Sequence, residues 1–287
     1  MISIIVCSRG VSVSNSLRQN IADSIGEAFE IICIDNSRNR YSIFEAYHQG
    51  VLMAKGDYLL FIHDDIRFLT PLWGEILRKG LADRHVGVAG VVGGHIIDET
   101  SCSWTSSGYY SGQVVQVRNG EKTYYNHNLS GLGNSVAALD GMLLGIRKEL
   151  FEQADLRWDS SSYCGFHFYD LDICMQATQK GYRIAIVPIA LEHYSCGTFD
   201  TRFFDNCAIF HRKWDSLLPV CSPSVTPAMQ KHAYRKAMEK ICAQGKMIDI
   251  DRKLMHRLPY RIITKILLML GIDPYRFSEG GVSKARC

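Results

Sequence analysis

Three short polar clusters follow apolar, strand-like runs near the start of the chain. They are Cys7-Ser8-Arg9 after ISIIVC, Asp35-Asn36-Ser37 at the end of FEIICID, and His63-Asp64-Asp65 at the end of DYLLFIHDD. None is needed to hold a strand together, and two bring carboxylates. Adjacent acids of this kind neutralise phosphate by holding Mg2+ or Mn2+. The glycine-rich alternatives are missing. CSRGVSVS offers one glycine where a dinucleotide fold needs G-x-G-x-x-G, and no G-x-x-x-x-G-K-[ST] occurs. The plain alternative for FIHDDI is a strand running into a solvated turn that caps the next helix.

The clusters do chemistry together only if their strands share a sheet. Residues 2–7, 29–35, 57–65 and 86–92 read as buried strands. Between them, residues 14–25 carry Leu17, Ile21 and Ile25 at helical spacing, 41–55 carry Ile43, Tyr47, Val51 and Ala54, and 72–82 follow Pro71 as a third helix. Gly56 is the expected stop of the second helix. Strand and helix in alternation, with continuous apolar strands, predict a parallel sheet covered on both faces. In such sheets ligands bind beyond the carboxyl ends of the strands, where the three clusters fall. The middle of the chain is irregular from Asp98 to Ala137, apart from a hairpin signal at Asn119-Gly120. A strand over 138–146, a helix over 170–180 stopped by Gly181, and a strand over 182–188 complete the pattern.

Composition sets the class. The chain has 287 residues, 47% of them hydrophobic and 21% charged, which excludes a disordered, collagen-like or coiled-coil protein. No apolar run reaches the ~20 residues of a membrane span. A strand-like run directly after Met1 leaves no room for a signal peptide, and ten scattered cysteines without a C-x-x-C pair speak against a disulfide framework. A cytoplasmic protein is therefore expected. After Pro219 the texture turns helical and basic. Residues 226–287 carry a balance of +8 and the rest −5. The expected division is a catalytic domain over 1–220 and a basic helical extension over 221–287.

SIIVCSR, IDNS, AYHQGVLMAKGDYLLFIHDD and the later FYDLDICMQATQKGYRIAIVP together resemble a glycosyltransferase of the GT-A fold, of the large family-2 class. More narrowly, the His-x-Asp variant is similar to a bacterial glycosyltransferase-like group named for a streptomycin-biosynthesis protein. The resemblance covers residues 2 to about 200. It implies an α/β Rossmann-like, mostly parallel sheet with helices on both faces. It also implies transfer of a sugar from a nucleoside-diphosphate sugar, a UDP-sugar first, to a hydroxyl on a glycan, lipid-linked glycan or small molecule. The transfer is expected to be inverting and dependent on Mg2+ or Mn2+, within polysaccharide biosynthesis, with no nucleic acid as partner.

Residue by residue, the resemblance places the donor nucleotide against Ser8 and Arg9, Asp35 and Asn36, and His63 and Asp64. Asp65 falls at the metal-binding position of the D-x-D motif, whose first acid is here His63. Asp140-Gly141 matches the acceptor loop, and Asp170 the catalytic carboxylate, with Tyr169 where Glu is common. His193 matches the late histidine near the diphosphate and joins Asp65 as a metal ligand. In inverting chemistry Asp170 takes the acceptor's proton while a cation steadies the departing diphosphate.

The same residues also admit plainer readings. Asp170 at a helix start also suits a cap, and Asp172 suits the helix dipole. His193 also suits a satisfied strand end. Cys164-x-x-His167 with His193-x-x-Cys196 has the ligands of a structural zinc site. His63 and Tyr169, as departures from the usual acids, fit an inactive GT-A domain that binds sugar nucleotide or glycan as a partner protein. In the tail, Leu254, Leu258, Ile262, Ile266 and Leu270 form one helical stripe among basic residues, with Pro259 as a kink. That stripe suits packing on the domain, contact with a second subunit, or peripheral contact with the inner face of a membrane.

Overall fold

The computed structural model describes residues 1–127, 134–194 and 201–245. The first strand, β1 (Ile2–Ser8), alternates in earnest: Ile4 and Val6 enter one apolar cluster, while Ile5 enters the other. The sheet is thus apolar on both faces, as a covered sheet requires. Helix α1 (Asn15–Ser24) starts where Ser14 Oγ accepts the Leu17 N–H at 3.2 Å, and it buries Leu17 and Ile21. β2 (Phe29–Asp35) pairs in parallel with β1, from Ile2 opposite Phe29 to Ser8 opposite Asp35. Helix α2 (Ile43–Met53) opens on a reciprocal capping box between Ser42 and Glu45, and ends at Ala54. Gly56 therefore lies beyond the helix, where its N–H donates to Ser3 Oγ at 2.8 Å. β3 (Tyr58–Ile62) flanks β1 on its other side.

The next stretch departs from the sequence reading. β3 stops at Ile62, so His63, Asp64 and Asp65 stand past the strand, and β4 (Ile66–Phe68) belongs to a second sheet. After α3 (Trp73–Ala82), the run expected over 86–92 divides. β5 (Val86–Gly90) stays in the main sheet, while β6 (Val92–Gly94) enters the second. β7 (Ile96–Ile97) follows, and then the hairpin of β8 (Tyr110–Arg118) and β9 (Glu121–His127). Its turn places Asn119 and Gly120 at φ 50° and 83°, the positive values a tight two-residue hairpin needs.

β10 (Ser135–Val136) and β11 (Ala138–Leu139) precede β12 (Leu143–Arg147). The single strand expected over 138–146 is thus two strands in different sheets. Asp140 breaks it, because its Oδ1 accepts the Met142 N–H at 2.8 Å and turns the chain. β12 then runs antiparallel between β3 and β5, so the main sheet is mixed rather than wholly parallel. Helices α4 (Glu149–Glu152) and α5 (Tyr169–Gln179) lead to β13 (Arg183–Ile186), parallel to β5, with β10 antiparallel at the edge. The seven strands lie in the order β10-β13-β5-β12-β3-β1-β2.

β14 (Leu191–His193) joins the second sheet, which runs β11-β6-β8-β14-β4. Helix α6 (Thr201–Trp214) is moored to α5 by Lys213, which reaches Asp172 at 2.8 Å and Asp159 at 2.7 Å. β15 (Val220–Cys221) pairs antiparallel with β7, and α7 (Pro227–Gly245) follows. The boundary expected after residue 220 falls inside β15. His95, fully buried, bonds Ser111 Oγ and Ser222 Oγ and ties that segment back to the body. Among the described residues no helix is long and apolar enough to cross a membrane. The stripe over 251–270 lies outside the described residues.

At the amino-end of the sheet, Arg147 donates to the carbonyls of Leu81 (2.9 Å), Val86 (2.7 Å), Asp83 and Arg84 (3.2 Å each), and to Glu149. Arg147→Met would strand buried carbonyls between α3 and β5. It should lower unfolding stability by about 3 kcal/mol in a denaturant titration. A loss under about 1 kcal/mol would show that those carbonyls find other partners.

Candidate active site

The site is built where β1, β2 and β3 end. Ser8 Oγ donates to Asp64 Oδ2 at 3.2 Å and accepts the Gly10 N–H at 3.1 Å. The Arg9 backbone N–H adds a second bond to Asp64 Oδ2 at 2.9 Å. Its guanidinium reaches Asp64 Oδ1 at 2.9 Å and Asp65 Oδ2 at 3.0 Å. Burial pushes the Asp64 carboxyl up, but the bonds from Arg9 and Ser8 outweigh it and hold the group below its ordinary value. Arg9, although exposed, is held charged, first by its bond to Asp64.

Arg9 thereby turns Asp65 so that its other oxygen faces inward. Asp65 Oδ1 is buried and has no hydrogen-bond partner. Facing it are His193 Nε2 at 3.6 Å and His63 Nδ1 at 3.8 Å, and the two nitrogens are 3.3 Å apart. Atoms bound to one ion at about 2.1 Å lie roughly 3–3.5 Å from each other, so the three atoms suit a single divalent cation with little movement. Burial, and then His193, hold His63 below its ordinary value and so neutral, the state in which imidazole ligates a metal. His63, Asp65 and His193 are the one such group among the described residues.

His193 reaches this point through strand pairing rather than sequence proximity. β14 is antiparallel to β4, with His193 opposite Ile66, and the Tyr194 N–H donates to the Asp65 carbonyl at 2.9 Å. On its other flank β14 is parallel to β8, with His193 opposite Gln116.

The first turn of α5 closes the site from the other side. Phe168, with φ 70°, is the N-cap, so Asp170 is not. Tyr169 Oη lies 2.7 Å from His63 Nε2, and its ring covers Gly141 so closely that a Cβ there would sit 2.1 Å from the hydroxyl. Asp170 accepts the Gly141 N–H at 3.1 Å and the Leu171 N–H at 2.9 Å. Burial and the neighbouring Asp140 raise its carboxyl from an ordinary 3.8 to about 7, against those two bonds. Asp140 is held by Met142 N and by the Trp104 indole N–H, each at 2.8 Å. Asp172 points away, buried against Lys213, Tyr163 and Trp214.

At the end of β2, Asp35 binds the backbone and hydroxyl of Ser37 through Oδ1, which lowers its carboxyl below the ordinary value. Asn36 is buried, and its carboxamide bonds both backbone groups of Tyr41. These bonds shape the loop after β2. The four-ligand zinc arrangement is not assembled by its described members. Cys164 is exposed, the His167 ring sits edge-on to Phe203, and His193 faces His63 instead. Cys196 lies outside the described residues.

Sequence reasoning placed His63 among the donor contacts and left its imidazole able either to ligate a metal or to bond a ribose hydroxyl; the fold groups it with Asp65 and His193. It also passed over Gln116 and Trp104, since a lone polar residue on an apolar strand and a tryptophan in an irregular loop signal nothing by spacing.

The mixed seven-stranded sheet with its covering helices is of the GT-A type of α/β fold. The family described as "Glycosyltransferase like family" matches residues 4–209, and the chain belongs to it. A curated relative from Fuscovulum blasticum, "ATP synthase subunits region ORF 6", is 23% identical over 200 residues, 64% of this chain and 72% of that one. Among solved structures, GalNAc-T7 with UDP, GalNAc and Mn2+ superposes with a TM-score of 0.53 at 11% identity over 75% of this chain. The chain spans about half the length of that protein, 49%.

Because the folded Asp170 carboxyl is a weaker acid than the unfolded one, the folded state holds an extra proton between about pH 4 and pH 7. Stability therefore falls as pH rises through that window. In EDTA, Asp170→Asn should gain stability over wild type between about pH 5 and pH 8, read as denaturation midpoints. A difference that does not change with pH would contradict the raised value.

Proposed function

We propose that the chain transfers a sugar from a nucleoside-diphosphate sugar, with UDP as the first candidate nucleotide, to a hydroxyl acceptor in a single inverting displacement. The observation that carries the reading is Asp65 Oδ1, buried without a partner and facing two imidazole nitrogens at the ligand edge of the sheet. His63, Asp65 and His193 would hold a divalent cation. When bound, that ion stabilises the charge of the departing diphosphate. Ser8 and Asp35, side by side at the ends of β1 and β2, would hold the nucleoside, with Arg9 at the rim beside the phosphates.

Asp170 would receive the proton of the acceptor hydroxyl as its oxygen bonds the anomeric carbon and the bond to the diphosphate breaks. A carboxyl raised to about 7 is a stronger base than an ordinary aspartate and is still ionised in part at neutral pH. Asp140-Gly141 would line the acceptor side. The inactive reading depended on His63 and Tyr169 as departures from acidic residues. Their mutual bond at 2.7 Å instead supports a matched pair that keeps the cation site working.

Asp170→Asn should leave donor affinity nearly unchanged and lower transfer by about 10²–10⁴-fold, the worth of a positioned base. Transfer at the wild-type rate would move the base elsewhere. Two imidazole donors suit Mn2+ better than Mg2+, which prefers oxygen ligands. Calorimetry should accordingly show UDP binding tightest in Mn2+, weaker in Mg2+ and lost in EDTA, with Asp65→Asn resembling EDTA. Equal affinity in EDTA and Mn2+ would remove the cation from the account.

A further inference from the structure

An imidazole ligates through one nitrogen only if the proton sits on the other, so each histidine of the cluster needs something that decides its tautomer. For His193 the decision is visible. Gln116, on the neighbouring strand β8 and directly opposite His193, makes two contacts with it. Its Nε2 donates to the His193 carbonyl at 2.9 Å. That fixes the amide's orientation, because only the nitrogen end can donate. The oxygen end, Oε1, then lies 3.3 Å from His193 Nδ1. An amide oxygen only accepts, so the ring proton must be on Nδ1 and the lone pair on Nε2. Nε2 is the atom that faces His63 Nδ1 at 3.3 Å and Asp65 Oδ1 at 3.6 Å.

We propose that Gln116 is a positioning residue of the cation site: from the outer hairpin it fixes the His193 tautomer and ring so that Nε2 presents its lone pair beside Asp65 Oδ1. The inference rests on the reading of His63, Asp65 and His193 as cation ligands. Without an acceptor at Nδ1, the ring proton is free to occupy Nε2, where it would bond His63 or Asp65 and block the ion. The hairpin, paired to β14 through β8, thus takes part in metal binding. Outer partners of ligating histidines are worth about 10–100-fold in metal affinity.

Two measurements on the full chain test this. The first needs no metal. Long-range ¹⁵N–¹H correlation in EDTA, with the His193 signals assigned from His193→Gln, should show the Nδ1–H tautomer in wild type. Gln116→Leu should shift it toward Nε2–H, while Gln116→Glu, which keeps an acceptor at Nδ1 but loses the donor to the carbonyl, should retain Nδ1–H. An Nε2–H tautomer in wild type, or no change in Gln116→Leu, overturns the inference whether or not Mn2+ binds.

The second is titration with Mn2+ alone, free ion read by paramagnetic resonance. Gln116→Leu should bind about 10–100-fold more weakly than wild type, with Gln116→Glu recovering most of the loss. Wild-type affinity in Gln116→Leu, beside an Asp65→Asn control that binds nothing, overturns the role of Gln116 and leaves the cation site standing. Wild type that binds no better than Asp65→Asn removes the cation site, and this inference with it.

Discussion

One carboxylate oxygen, buried and unpaired, sets the constraint around which the rest is arranged. A buried acceptor without a partner costs about 1–3 kcal/mol, more when charged, so a fold that keeps one has a reason to do so. Asp65 is held in that position from three directions. Arg9 binds its outer oxygen, the β4–β14 pairing fixes its backbone through Tyr194, and two imidazoles close on the inner oxygen without bonding it. Arg9 also binds Asp64, so one exposed guanidinium orients two successive acids.

The architecture follows from the need to bring distant segments to that carboxylate. Parallel pairing of β1, β2 and β3 delivers Ser8, Asp35 and His63 to one edge. The second sheet brings His193 from 128 positions beyond Asp65, and Gln116 with it. The Asp140 turn breaks what would have been one long strand, and Gly141 then lets the Tyr169 ring settle where its hydroxyl meets His63. Tyr169 and Asp170 are neighbours in the first turn of α5, so the residue that contacts the proposed cation site and the proposed base are placed by the same helix start. That start is in turn held by the pairing of buried Asp172 with half-buried Lys213, which links α5 and α6.

The early strands were legible because each is a continuous apolar run ending in polar residues, and the helices because their apolar residues recur at helical spacing, as at Leu17, Ile21 and Ile25. The hairpin was legible because Asn119-Gly120 has the chemistry its turn demands. The splitting of 86–92 and 138–146 between two sheets was not, since an apolar run carries no mark of which sheet receives it. The antiparallel β12 was hidden for the same reason. Within the site, Asp65 and His193 were brought forward as ligands by family resemblance, while the place of His63 beside them depends on side-chain direction after the strand ends. Gln116 has no signal at all in one dimension, because its importance lies in standing opposite His193 across two strands.

The account is tested most directly by anomalous diffraction from crystals soaked in Mn2+ without nucleotide. It predicts a manganese peak bounded by His63 Nδ1, Asp65 Oδ1 and His193 Nε2. Manganese bound elsewhere on the molecule, with that position empty, would contradict it.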